Sequence, residues 1–96
     1  MSQLTIFASA DLEPRVVEAL DRAGVAGFLR VPGATGNRFL PGQVPRTLSW
    51  EAVMIIVPLL DDEQLQSITE QLSAAAADCE AEPCLRLVAT PSRVLF

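Results

Sequence analysis

A strand-then-helix pattern occurs twice in this chain, and it constrains the fold more than any other feature of the sequence. The first copy begins with the apolar run at residues 4–8, and the second begins with residues 53–57. In each copy the run is followed by an acidic residue, Asp11 or Asp61, and then by apolar residues at helical spacing. The pattern therefore predicts a strand and an acid-capped helix in each half of the chain.

One further strand candidate follows each helix, at residues 27–31 and 85–89. The order βαββαβ is that of an α+β, ferredoxin-like sandwich with an antiparallel sheet. A length of 96 residues supports one domain, residues 1–96, around one core. We expect Gly24 to end the first helix in the left-handed conformation, and Gln64 to complete a capping box on Asp61.

The predicted connection between strands 2 and 3, residues 32–49, is far longer than the usual hairpin loop of about two to five residues. It is rich in proline and glycine, and Arg38 and Arg46 are its only ionisable residues in a chain of net charge −5. Long loops of this kind often carry function. We expect a poorly ordered loop that binds a ligand or a partner, with a surface excursion of no binding role as the alternative.

The strands are apolar on both faces instead of alternating between apolar and polar residues. In the third strand, Met54 and Ile56 alternate with Val53, Ile55 and Val57. Two helices cover only one face of such a sheet, so the other face needs a different cover. We expect other copies of the chain to bury it, with the long loop as the alternative cover.

Composition excludes several functions. An acidic chain of net charge −5 is a poor binder of nucleic acid. The chain has no histidine, so it has no Ser-His-Asp or Cys-His nucleophile, and an enzyme is not expected. The apolar run at residues 52–60 is much shorter than the roughly 20 residues of a membrane helix, and the first residues lack the basic segment of a signal peptide. We expect a cytoplasmic protein without membrane insertion.

The layout resembles that of the PII-like signalling proteins. The resemblance covers most of the chain and is carried by residues 11–20 (DLEPRVVEAL), 23–28 (AGVAGF), 33–38 (GATGNR), and 54–58 (MIIVP) leading to 62–64 (DEQ). It implies a homotrimer of ferredoxin-like subunits whose sheets line the interior. It also implies that the loop after strand 2, the T-loop of that family, contacts a protein target such as a transporter or an enzyme.

The same resemblance implies ligand clefts between subunits, near the base of the T-loop and the C-terminal segment. The candidate ligand-binding residues are Gly33, Gly36, Arg38, Arg46 and Arg93. Arginine suits carboxylate and phosphate groups, so the expected ligand is a small anion, with an adenine nucleotide as the family's example. Exposed arginines that serve solubility or interchain ion pairs are the alternative. Residues 77–84 lack the glycine and lysine with which nucleotide-binding PII proteins wrap phosphates, which argues for an altered ligand.

Cys79 and Cys84 are the only cysteines, and three interpretations stay open for them. They are ordinary small residues, a regulatory disulfide, or ligands of a divalent metal together with Glu80 and Glu82. The third interpretation, metal ligation, corresponds to the alternative function of the chain as a metal-binding or metal-tolerance protein. Copper-tolerance CutA proteins and PII-like proteins linked to metal efflux share this architecture. The principal reading needs no metal.

Overall fold

The structure is a computed structural model that describes residues 1–39, 47–77 and 84–96, with the backbone alone at 36–39 and 47–50. Its strands are β1 (Ser2–Ser9), β2 (Leu29–Phe39), β3 (Thr47–Leu60) and β4 (Leu85–Pro91). Its helices are α1 (Glu13–Arg22), which follows a 3-10 turn at Ala10–Leu12, and α2 (Asp62–Ala77). The predicted order βαββαβ is confirmed.

The four strands form one antiparallel sheet in the order β2-β3-β1-β4. Ile6 of β1 lies opposite Ile55 of β3 on one side and Leu87 of β4 on the other. Strand residues that alternate along β1 and β3 face the helices and are buried, as the 2-residue period of a strand requires. Among the described residues they form one cluster with α1 and α2: Leu4, Ile6, Ala8, Val16, Ala19, Leu20, Val53, Ile55, Val57, Leu60, Ile68, Leu72, Ala75 and Leu85.

The helix caps follow the sequence prediction at two points out of three. At α2, the Gln64 N–H donates to Asp61 Oδ1 at 2.7 Å, and the Asp61 N–H donates to Gln64 Oε1 at 3.2 Å, so the capping box is confirmed. Gly24 has a φ of 76°, the left-handed conformation that ends α1. Pro14 lies in the first turn of α1, where its missing N–H has no helical partner. The prediction of Asp11 as the cap of α1 is wrong, because Asp11 belongs to the 3-10 turn that precedes the helix.

The bounds predicted for the long loop are also wrong. Residues 32–39 continue β2 and residues 47–49 already belong to β3, so the two strands form a long hairpin. The sequence suggested a strand end at Pro32 and Gly33, since both residues interrupt a central strand. β2 is an edge strand, however, where a proline can turn its missing N–H away from the sheet. Gly33 is accommodated because it lies in a β-bulge, where the ladder between β2 and β3 is interrupted.

The sheet face away from the helices carries apolar side chains on all four strands, as predicted. We call this surface the open face; it comprises Phe7, Leu29, Val31, Met54, Ile56 and Val88. Phe7 is 45% exposed, Leu29 61%, Val31 43% and Val88 47%. No described part of the hairpin covers these four side chains, because β2 and β3 extend along the sheet. Among residues 1–39, 47–77 and 84–96, the open face is therefore an exposed apolar surface.

Neither described helix combines the length and the apolar character that a membrane crossing requires.

Candidate functional site

Gly33 marks the base of the hairpin, at the point where β2 shifts register against β3. Val31 lies opposite Met54 and Ala34 lies opposite Ala52, so β2 holds one residue more than β3 across this step. The φ of Gly33 is 74°, a conformation that L-residues with a side chain rarely adopt. A Cβ atom at Gly33 would meet nothing within 4 Å, so the glycine is required by backbone conformation and not by lack of space. The pattern is that of a glycine β-bulge.

Gly36 and Arg38 lie further along β2, past the bulge. Gly36 is opposite Trp50 and Arg38 is opposite Leu48 in the ladder. Three of the five predicted ligand-binding residues therefore belong to one strand of the hairpin. Arg46 lies outside the described residues.

Arg93 lies at the other end of the sheet within the same chain. It follows Ser92, whose N–H donates to the Met1 carbonyl at 3.2 Å and whose hydroxyl donates to the Pro58 carbonyl at 3.2 Å. Pro91 pairs with Ser2, whereas the hairpin base is level with Ser9. At about 3.4 Å per residue, the two ends of β1 are roughly 24 Å apart. One chain does not bring Arg93 to the hairpin, and the predicted meeting of the two between subunits stays a prediction.

Cys84 lies at the same end of the sheet as the hairpin base. The Ser9 N–H donates to the Cys84 carbonyl at 2.8 Å, and Ser9 pairs with Ala52, which in turn pairs with Ala34. Cys84 is disulfide-bonded and partly buried against the core. The other residues of the proposed metal set, Cys79, Glu80 and Glu82, lie outside the described residues. Within residues 1–39, 47–77 and 84–96 no group of three potential metal ligands comes together.

An ion pair that the sequence did not reveal joins the start of α1 to β2. Arg30 donates through Nε to Glu13 Oε1 and through Nη2 to Glu13 Oε2, the second bond at 3.0 Å. Arg30 lies opposite Ile55, on the helix side of the sheet, which is why it reaches α1. The hydrogen bond with Arg30 lowers the pKa of Glu13, and the reciprocal bond raises the pKa of Arg30. Because this guanidinium is already engaged, it is not a free donor for an anion.

A small groove lies beside α1, and no sequence pattern predicts it. It has a volume of about 310 Å³, and we call it the α1 groove. One wall is formed by Val17, Glu18, Leu20 and Asp21 of α1, and the other by residues 25–28. The segment is held there because the Val25 N–H donates to the Leu20 carbonyl at 3.1 Å. The groove is apolar inside and acidic on its helical rim.

No family model matches the chain, and no curated protein matches it by sequence. Solved structures do match it. CPII from Thiomonas intermedia K12, bound to ADP and bicarbonate, is 20% identical with a TM-score of 0.69, over 93% of this chain and 82% of that chain. The ATP complex of GlnK from B. subtilis is 10% identical with a TM-score of 0.69, over 93% and 79%. CutA1 from Oryza sativa is 15% identical with a TM-score of 0.67, over 97% and 80%.

One of the matched structures is described as a nitrogen regulatory PII-like protein bound to ADP, AMP and bicarbonate. At these identities the likeness concerns the fold, and it extends over more than nine-tenths of this chain. The resemblance inferred from the sequence is confirmed at that level: this chain has the ferredoxin-like fold of the PII-like proteins.

Proposed function

We propose that residues 1–96 form a single-domain, cytoplasmic regulatory protein of the PII-like type, and not an enzyme. It assembles as a homotrimer, binds a small anionic ligand at subunit clefts, and acts on a partner protein through residues 32–49. The adenine nucleotides are the first candidates for this ligand. Matched structures of this fold that hold ADP or ATP support that choice of ligand.

One observation carries the proposal: the hairpin base and Cys84, which directly precedes β4, lie at the same end of the sheet. Gly33 adjoins Ala34, which pairs across the sheet to Ala52 and Ser9, and Ser9 is hydrogen-bonded to Cys84. A ligand bound at this end would contact both segments at once. Ligand binding would then favour one conformation of the hairpin beyond the bulge. A segment that becomes ordered or disordered when a ligand binds is a common way for a protein to signal the bound state.

The open face supports the assembly. Phe7, Val31 and Val88 are each more than two-fifths exposed on neighbouring parts of one sheet face. An apolar surface of this extent is unusual on a monomer and typical of an interface. The proposed function does not depend on Arg93, which lies at the opposite end of the sheet from the hairpin of its own chain.

Isothermal titration calorimetry with ADP, ATP and AMP tests the ligand. We expect binding by the natural chain and a loss of roughly 1.5 to 3 kcal/mol for Arg38→Ala or Arg46→Ala, the range for a lost hydrogen bond to a charged group. Arg15→Ala is the matched control, since Arg15 is an exposed arginine of α1 and does not belong to the hairpin. Equal losses in Arg15→Ala and Arg38→Ala would mean that net charge, and not a site, controls binding.

The same titration with Zn²⁺ and Cu²⁺ separates the metal-binding alternative. A thiolate is the form of cysteine that binds metal, and Cys84 is engaged in a disulfide. We therefore expect no tight metal binding by the oxidised protein. Metal binding that survives Arg38→Ala and disappears in a Cys79→Ser, Cys84→Ser double variant, without any heat from nucleotides, would replace the regulatory reading by the metal-binding one.

A further inference from the structure

The segment that follows β4 is apolar and uncovered. We call residues 93–96, with the sequence RVLF, the arm. Val94 is 62% exposed, Leu95 is 75% exposed and Phe96 is fully exposed, although Ser92 just before them is held by two hydrogen bonds. Three consecutive apolar side chains in water are a surface that association would bury.

We propose that the arm of one copy docks in the α1 groove of a second copy. The volume of the groove, about 310 Å³, is at the lower end of the roughly 300 to 1,000 Å³ typical of ligand pockets. It therefore suits a few side chains better than a large molecule. Its apolar walls, with Val17, Leu20 and Phe28 among them, complement the side chains of the arm.

Charge complementarity favours this occupant. On the rim, Glu18 is paired with Arg22 at 2.5 Å, whereas the Asp21 carboxylate has no side-chain partner among the described residues. Arg93 is exposed and likewise has no side-chain partner within the described part of the chain. An unpaired carboxylate at the groove thus meets an unpaired guanidinium directly before the apolar residues of the arm.

The open face is the other apolar surface that could receive the arm, but the proposed trimer already buries it. The α1 groove is not part of that face, and its rim carries Asp21 and Glu18, whose charge is opposite to that of Arg93.

Sheet geometry favours a second copy over the same chain. The arm leaves β4 and the groove borders the start of β2, and these are the two outer strands of the sheet. Three strand spacings of about 4.8 Å separate them by roughly 14 Å. Four extended residues span at most about 14 Å, which leaves no length to enter the groove. A contact between opposite edges of two copies is head-to-tail, and such contacts form rings where the rotation closes and open filaments where it does not.

This contact goes beyond the proposed function and gives Arg93 a different role. An Arg93 that pairs with Asp21 of another copy is not at the same time a ligand of a nucleotide. Isotope-filtered nuclear Overhauser spectroscopy tests the contact on a mixture of labelled and unlabelled chains that have been unfolded and refolded together. We expect cross-peaks between the methyl groups of Leu95 in one chain and the ring of Phe28 in another. No such cross-peak, or one within a single chain only, would overturn the proposal, whether or not the open face forms a trimer.

A charge exchange gives the second test, read by the intensity of that cross-peak and by sedimentation equilibrium. Asp21→Arg and Arg93→Asp should each weaken the contact about two- to fivefold, as expected for an exposed ion pair. The two changes together should restore it. Glu70→Arg, the same charge change at an exposed position of α2, is the control and should leave the contact intact. A double variant no better than either single one would refute the pairing of Asp21 with Arg93.

Discussion

Replacement of Phe7 by serine should dissociate the proposed trimer. Phe7 lies on β1, a central strand, and is 45% exposed in the single chain. Full burial of a phenylalanine removes about 200 Å² from water, so the exposed 45% of Phe7 leaves roughly 90 Å² for a neighbouring copy to cover. At about 25 cal/mol per Å², this contributes about 2 kcal/mol per copy and about 6 kcal/mol per trimer. The dissociation constant of the trimer should therefore rise by about four orders of magnitude.

Sedimentation equilibrium over a range of concentrations measures this change, with circular dichroism to establish that the variant is folded. Phe7→Leu is the matched control, since it keeps an apolar side chain at the same point of the open face and should stay associated. The natural chain should have three times its mass of 10.3 kDa. A natural chain that is monomeric at micromolar concentration, or a Phe7→Ser variant that associates as well as the natural chain, would refute the role of the open face.

Three further predictions concern stability and redox state. The hydrogen bond from Arg30 lowers the pKa of Glu13, so the ion pair stabilises the fold fully above the ordinary glutamate pKa of about 4.3. This stabilisation is lost as the pH falls through the lower pKa of the folded state. The free energy of unfolding in urea should therefore depend on pH in this acid range, and Glu13→Gln should lack that dependence. Gly33→Ala should destabilise the chain by about 1 to 2 kcal/mol through its positive φ, whereas Gly27→Ala, with ordinary φ and no neighbour within 4 Å, should have a much smaller effect in the same assay. Reduction of the disulfide should weaken nucleotide binding, because Cys84, which is hydrogen-bonded to Ser9 at the hairpin end of the sheet, loses a covalent constraint. Equal affinities in calorimetry with and without reductant would contradict this.

The fold was predictable from the sequence because its signals are local and repeated. The capping box of Asp61 and Gln64 and the left-handed Gly24 follow from residue types at fixed spacing, and both occur in the structure. The apolar side chains on both faces of β3 were also predictable, because successive residues of a strand point to opposite faces of the sheet. The extent of the hairpin did not, since Pro32 and Gly33 end a central strand but are tolerated in an edge strand with a bulge. Strand order decides which case applies, and strand order is a property of the whole chain.

The candidate site was less predictable for the same reason. Gly33, Gly36 and Arg38 are neighbours in sequence, and the structure keeps them on one strand. The pairing of Arg30 with Glu13 and the α1 groove both depend on how α1 lies beside β2, which no local pattern encodes. Arg93 was grouped with the hairpin from the family resemblance, and its place in one chain is at the other end of the sheet. Only an assembly of several copies could bring them together.

Hydrogen–deuterium exchange with and without ADP tests the central claim most directly, because it reports the hairpin and the segment before β4 in one experiment. The account predicts that ADP slows amide exchange in residues 32–49 and around Cys84, while core amides such as that of Ile55 are already slow and stay unchanged. It also predicts that Arg38→Ala shifts the effect to higher ADP concentrations and that Arg15→Ala does not. Unchanged exchange across residues 32–49 at saturating ADP, or protection confined to another part of the chain, would contradict a nucleotide sensor that acts through this hairpin.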